Sequence, residues 1–255
     1  MTSPEGTPEF LTSKDGARLA YHRLNGRSPG VVFCGGFRSD MTGTKATALE
    51  QTCARLGHAF VRFDYFGHGQ SDGEFTDGTI SRWREDAIHV LDNLTTGPQV
   101  IIGSSMGGWI MLLAALARPD RVHALLGLAA APDFTQDLMW EKFPEGVKDH
   151  LRKDGVYLEP SEYDEELTPI TMRLIEDGRE HLLLRDPIPL TCPVRLIHGM
   201  LDPDVPWQTG PEIIERLESE DATVALIKNG DHRLSEPGDI SRMNATLEKL
   251  LATSI

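Results

Sequence analysis

The 255-residue sequence predicts an α/β class: a mainly parallel sheet wound on both faces by helices. Three observations predict it. Apolar runs of strand length alternate with stretches whose apolar residues recur at three and four, and repeated strand-helix units imply parallel strands joined by right-handed crossovers. A Gly-x-Ser-x-Gly pattern (Gly103, Ser105, Gly107) sits between an apolar strand and an apolar helix. Two later strand ends carry an Asp and a His, at Asp202 and His232.

In chain order, Glu9 to Thr12 and Ala17 to Arg23 flank Asp15-Gly16, a hairpin signal, so an antiparallel pair should open the sheet. Val31 to Cys34 is a fully apolar strand followed by Gly35-Gly36-Phe37. Ala46, Leu49, Cys53 and Leu56 recur at helical spacing, and Gly57 stands where a C-terminal cap belongs. Ala59 to Phe63 is a strand ending in a Gly- and Asx-rich loop, Asp64 to Gly73. Ile80, Trp83, Ala87, Leu91 and Leu94 mark one helix face, broken at Gly97-Pro98. The strand before Ser105 and its helix follow, then strands at Ala124 to Ala130, Val194 to His198 and Thr223 to Ile227. With the opening hairpin these make eight strands. In the last helix Ile240, Met243, Leu247 and Leu250 face the core.

Residues 1–131 and 190–255 read as one core domain, and 132–189 as an inserted helical lid. Within the lid, Pro144 to Gly155 frames a short helix, and Thr168-Pro169 reads as a cap and first turn with Gly178 as the stop. Phe134, Leu138, Met139, Trp140 and Phe143 either pin this insertion to the sheet or line a substrate pocket above Ser105. Between Asp133 and Asp186 there are 15 acidic and 7 basic residues, so the insertion carries much of the net charge of −14.

That charge excludes nucleic acid and anionic membrane surfaces as partners. No stretch approaches the roughly 18 consecutive apolar residues of a membrane span. The first ten residues lack a basic start, an apolar core and the arginines of an organelle presequence, which predicts a cytoplasmic location. Cys34, Cys53 and Cys192 are odd in number and lie in or beside apolar elements, so they read as buried thiols. No metal-ligand spacing, P-loop or dinucleotide motif is present, so neither metal nor cofactor is expected. Oligomeric state is not encoded legibly.

A serine between strand and helix is placed to act as a nucleophile on a strained turn. Ser104 competes with Ser105, but only Ser105 has glycine two residues away on both sides. Its hydroxyl needs a general base, and the base an orienting carboxylate. Taken in the chain order nucleophile, acid, histidine, these are Ser105, Asp202 and His232, with Asp204 as a rival acid. Oxyanion donors would be the amides of Met106 and Phe37. His198, His89 and His123 read as structural, whereas His68 lies in a polar glycine loop from which it could approach the site.

The combination of Gly43-Thr44-Lys45-Ala46, Arg62-Phe63-Asp64-Tyr65, Ser71-Asp72-Gly73, Gly103-Ser104-Ser105, Gly107-Gly108-Trp109, His198-Gly199-Met200, Asp202, Val205-Pro206-Trp207 and Asp231-His232-Arg233 resembles the α/β-hydrolases. More narrowly, it resembles mitochondrial abhydrolase-domain S-depalmitoylases and acyl-glucuronide esterases. The resemblance implies an eight-stranded α/β-hydrolase fold and a serine thioesterase or esterase that forms an acyl-enzyme. Its substrate would be an acyl thioester or ester, including an S-acylated protein; Met139, Trp140 and Trp207 would line the pocket. The alternative is a small-molecule carboxylesterase of the same mechanism. Dehalogenase or epoxide hydrolase chemistry would need an aspartate at position 105, and a ligand receptor on an inactive hydrolase fold is disfavoured because every catalytic position is filled.

Overall fold

The computed structural model describes residues 6–160 and 167–252. The chain runs β1 (Glu9–Thr12), β2 (Arg18–Leu24), β3 (Arg27–Cys34), α1 (Thr44–Leu56), β4 (His58–Phe63), α2 (Ile80–Leu94), β5 (Gln99–Ser104), α3 (Met106–Ala117), β6 (Val122–Leu128), α4 (Glu145–Asp154), β7 (Val156–Glu159), β8 (Thr168–Thr171), α5 (Met172–Arg179), β9 (Val194–Gly199), α6 (Thr209–Arg216), β10 (Ala222–Ile227) and α7 (Pro237–Ala252). Eight strands form one sheet in the order β1-β2-β4-β3-β5-β6-β9-β10. β2 pairs antiparallel with β1 and β4, and every later neighbour is parallel.

The central strands are apolar on both sides because both faces are covered. Val32, Cys34, Val61, Phe63, Ile101 and Leu125 pack on the side of α2 and α3, with Trp83, Leu91, Ile110 and Leu112. Their neighbours Val31, Phe33, Phe60, Val100, Ile102, Leu126 and Leu128 pack on the other, against Leu49 and Cys53 of α1 and Met243 and Leu247 of α7. Gly57 closes α1 in the left-handed conformation, φ 76°, with its amide bonded back to Ala54 and Cys53.

Between β6 and β9 the chain leaves the sheet. A π-helical turn, Thr135–Trp140, precedes α4, and an antiparallel ribbon of β7 and β8 precedes α5. Three expectations are corrected here. The segment is not all helical, and Thr168-Pro169 is not a helix start: both residues belong to β8, and Thr171 caps α5 by accepting from the Leu174 amide. Gly178 does not stop α5. It is a buried position inside the helix, where a Cβ would lie 2.2 Å from Thr135 Oγ1. Glycine there answers packing. Part of the acidic surplus (Glu162, Asp164, Glu165, Glu166) and the first half of the leader reading (residues 1–5) fall outside the described residues.

The insertion is fastened by Asp133, whose buried carboxylate accepts from the amides of Leu183 (2.8 Å) and Leu184 (2.9 Å), joining the start of the segment to its end. It holds a small core of its own, Phe143, Leu151, Ile170 and Ile175.

Glycine is demanded unequally along the chain, which gives a test. A Cβ on Gly107 would sit 2.1 Å from the Cys34 carbonyl oxygen and 2.5 Å from that of Gly35, whereas one on Gly57 would meet nothing within 4 Å. Gly57→Ala should therefore cost only the left-handed penalty, about 1–2 kcal/mol, and Gly107→Ala about 3 kcal/mol or more, because backbone must move. Urea unfolding of both variants checks this, and equal losses would refute the close approach.

Candidate active site

Ser105 stands alone between the end of β5 and the start of α3, at φ 54° and ψ −120°. A non-glycine residue held there costs on the order of 1–3 kcal/mol, so its surroundings must fix it. They do so through the backbone: the Ser105 amide donates to Leu128 (2.9 Å), and its carbonyl accepts from Gly108 (2.8 Å) and Ala131 (3.1 Å). Gly103, Gly107 and Gly108 let strand and helix meet, since a Cβ on Gly103 would lie 2.2 Å from the Gly107 oxygen and one on Gly108 2.4 Å from Ala130 Cβ. Ser104 is buried in β5, whereas the Ser105 hydroxyl lies 3.1 Å from His232 Nε2.

His232 follows β10, and its Nδ1 lies 2.8 Å from Asp202 Oδ2, just beyond β9. The structure therefore brings Ser105, His232 and Asp202 into one hydrogen-bonded line. Asp202 is held by its own turn, with Oδ1 accepting from the amides of Asp204 (2.9 Å) and Val205 (2.8 Å). Burial pushes the Asp202 carboxyl up, but hydrogen bonds from His198, His232 and the Val205 amide outweigh it and hold the group well below the usual carboxylate range. Asp204 has a different relation to the histidine, with Oδ2 3.9 Å from Nε2, on the Ser105 side.

Sequence reasoning missed His198 as a partner of the acid. Its buried ring puts Nε2 3.0 Å from the Val205 carbonyl and 3.5 Å from Asp202 Oδ2. The available signal was its place, four residues before Asp202 at the end of the same strand. Lys45, at the start of α1, donates to the carbonyl of Arg233, next to His232; loss of solvent pushes its ammonium down to about 8.

The loop after β3 passes over Ser105: a Cβ on Gly36 would lie 3.5 Å from Ser105 Cβ. Phe37 is thereby next to the Ser105 turn, and Met106 begins α3 directly after Ser105. The Phe37 ring packs edge-on against Phe75 (5.0 Å), Trp83 (5.8 Å) and Phe134 (5.6 Å). His68 does not reach the Ser105 line. It lies buried behind the Phe37 loop, with Nε2 accepting from the Arg38 amide at 3.2 Å.

Of the three pocket residues expected from sequence, Met139 and Trp140 share the small core of the insertion, and Trp207 belongs to the stretch before α6. Met139 packs against both the sheet core and the small core of the insertion, as Phe37 also does. Trp140 packs on the insertion's own core and is covered by Arg179 (4.7 Å), Arg152 (5.1 Å) and Lys148 (5.8 Å). Trp207 is half-buried just before α6, outside the aromatic group around Phe37 among the described residues.

Asp202, Asp204 and His232 also place oxygen and nitrogen atoms within 4.8 Å of one another. Both ring nitrogens of His232 are already engaged, one by Asp202 and the other by Ser105. No helix among the described residues is long and apolar enough to cross a membrane.

Residues 30–174 match the family model for the alpha/beta hydrolase fold. Over 245 residues the chain is 45% identical to "Palmitoyl-protein thioesterase ABHD10, mitochondrial" of Bos taurus, covering 95% of this chain and 79% of that protein. It is 44% identical over 243 residues to the Homo sapiens protein of the same name, with the same coverage. Among solved structures it is similar to the mouse alpha/beta hydrolase domain-containing protein 10 (TM-score 0.89, 43% identity, 96% of this chain and 98% of that one). A putative hydrolase from Agrobacterium vitis S4 gives a TM-score of 0.92 at 38% identity with the same coverage.

The expected cytoplasmic location is overturned by these comparisons, because the relatives at this level of identity are named as mitochondrial. Compartment is set by addresses that receptors read, and composition near a chain's start was a poor guide to it. Fold and relatives agree, and the chain belongs to the alpha/beta hydrolase family.

Proposed function

We propose that this protein is a serine hydrolase that cleaves acyl thioesters and esters through an acyl-enzyme, with a long-chain acyl thioester, including an S-acylated protein, as its substrate. The observation that carries the reading is the line from Ser105 Oγ through His232 to Asp202, 3.1 Å and 2.8 Å. The thioester half is supported by relatives named palmitoyl-protein thioesterase.

In this reading Ser105 Oγ attacks the acyl carbonyl carbon while its proton passes to His232 Nε2. Asp202 keeps the proton on Nδ1 and stabilises the imidazolium that forms. The carbonyl oxygen becomes an oxyanion beside the amides of Phe37 and Met106, donors fixed before the reaction begins. Collapse breaks the carbon–sulfur or carbon–oxygen bond, and the leaving thiol or alcohol takes the proton from His232. Water, deprotonated by His232, then attacks the acyl-enzyme, releasing the carboxylic acid and restoring Ser105.

Ser105→Ala should lose turnover by about 10⁶ and lose labelling by a fluorophosphonate, while Ser104→Ala keeps most of both. Retained turnover in Ser105→Ala, with contamination excluded, would end the proposal.

For the acid, Asp202→Asn should lower kcat by about 10⁴ through loss of the correct histidine tautomer, and Asp204→Asn should retain most activity. Steady-state kinetics on both variants decide it, since the reverse pattern would make Asp204 the orienting acid. The depressed pKa of Asp202 keeps it ionised down through pH 4, so its protonation should shape no part of the rate profile above that pH.

Met139, between the core of the insertion and the Phe37 loop, is the residue through which we propose the acyl chain is sensed. Each methylene withdrawn from water contributes about 0.8 kcal/mol. Met139→Ala should therefore lower kcat/KM for long acyl chains more than for acetyl esters. Trp140→Ala, which uncovers the insertion's core, should depress both together along with thermal stability. Equal losses in Met139→Ala across chain lengths would remove it from the acyl path.

A further inference from the structure

The loop that follows β4 carries a buried histidine that the proposed chemistry does not use. It is built around Asp64, whose buried carboxylate accepts from the Met41 amide (2.7 Å) and the Gln70 amide (2.8 Å). Within this turn the Phe66 carbonyl accepts from Trp83 Nε1 (3.1 Å) and lies 3.2 Å from His68 Nδ1. On the other side of the ring, the Arg38 amide donates to Nε2 at 3.2 Å. A carbonyl on one nitrogen and an amide donor on the other define the protonation of the ring: hydrogen on Nδ1, a bare Nε2 and no net charge.

We propose that His68 is a positioning residue for the oxyanion loop: its uncharged ring accepts the Arg38 amide and so fixes the chain that presents the neighbouring Phe37 amide to the reacting carbonyl. The inference rests on the serine hydrolase reading above and adds a residue to it.

Three further observations bear on this role. Arg38 stands at φ 56°, a left-handed conformation that a bulky residue keeps only when its surroundings impose it. The loop is held at a second amide, Met41, by Asp64 from the same β4 turn, so the loop after β4 grips the loop after β3 at two points. Phe37 and His68 also share two aromatic neighbours. Phe75 lies 5.0 Å from Phe37 and 5.2 Å from His68, and Trp83 lies 5.8 Å and 5.2 Å away. Side-chain packing and the backbone hydrogen bond thus fix the same residue pair. Burial pushes the His68 imidazole down to about 4, so the ring stays uncharged and its Nε2 lone pair stays available. An imidazolium would instead turn a hydrogen against the Arg38 amide.

His68→Phe keeps an aromatic ring among Tyr65, Phe75 and Trp83 and removes both hydrogen bonds. Losing an oxyanion donor outright costs about 10²–10³ in rate; loosening one should lower kcat by about 10- to 100-fold, with KM within about twofold. A trifluoromethyl ketone, which forms an oxyanion on Ser105, should lose affinity in proportion. His68→Gln, which retains an acceptor and a donor, should recover part of the loss. Fluorophosphonate titration counts folded sites, so rates refer to intact enzyme. Unchanged kcat in His68→Phe, or kcat and KM moving together with no change in ketone affinity per site, would overturn the proposal.

Nitrogen-15 shifts of His68 in the unsubstituted protein test it independently of whether the variants fold. The uncharged Nδ1–H form is expected, and an Nε2–H or doubly protonated ring would overturn it. Should Ser105→Ala retain turnover, the serine hydrolase reading fails. Should Ser105→Ala be inactive while His68→Phe is fully active, only the His68 inference fails.

Discussion

The backbone at Ser105 is the constraint to which the other parts of the site are fitted. A serine at φ 54° between a strand and a helix projects its hydroxyl above the sheet, and this geometry exists only because β3, β5 and α3 approach within distances that exclude a Cβ at Gly103 and Gly107. The Ser105 carbonyl is then pinned by amides from α3 and from the chain beyond β6. Strain at one residue is thus offset by hydrogen bonds from several elements, and the hydroxyl position is inherited from the sheet rather than from a flexible loop.

From that fixed point the spacing of the sheet does the rest. β5, β9 and β10 are parallel, so their C-terminal ends lie on one edge, and the loops leaving them deliver Ser105, Asp202 and His232 to one place. The acid needs more support than the others because its side chain is fully buried. Two amides and two histidines surround it, enough donors for the charged form to win over desolvation. His198 matters in this account as a second partner that leaves the carboxylate fewer unmet lone pairs.

Much of this was legible in the sequence, for identifiable reasons. Strands covered on both faces read as near-continuous apolar runs, and the surface helices between them show one apolar stripe each, so the alternation gave the order of elements. Ser105 stood out by its glycines, and Asp202 and His232 by their places beyond late strands. His198 read as structural although Asp202 lies four residues on, and the Arg38 amide that engages His68 lies 30 residues away, a pairing no local pattern records. In the insertion, β7 and β8 are four residues each, too short for alternation to show, and Pro169 imitated a helix start while sitting in an edge ribbon. At Trp140 sequence reports an apolar ring and not the three cations that lie over it.

The separate core of the insertion has a consequence for how the molecule opens. Four buried side chains form it, while Phe134, Leu174 and Leu184 of the same segment join the sheet-side core and α5 docks beside α2. Regions with few buried apolar contacts open with less free energy than the domain as a whole. Amide hydrogens of α4 and of the β7–β8 ribbon should exchange with solvent through such partial openings while those of β5 and β6 wait for global unfolding. The region beside the Phe37 loop and the sheet that carries Ser105 would then keep different clocks within one chain.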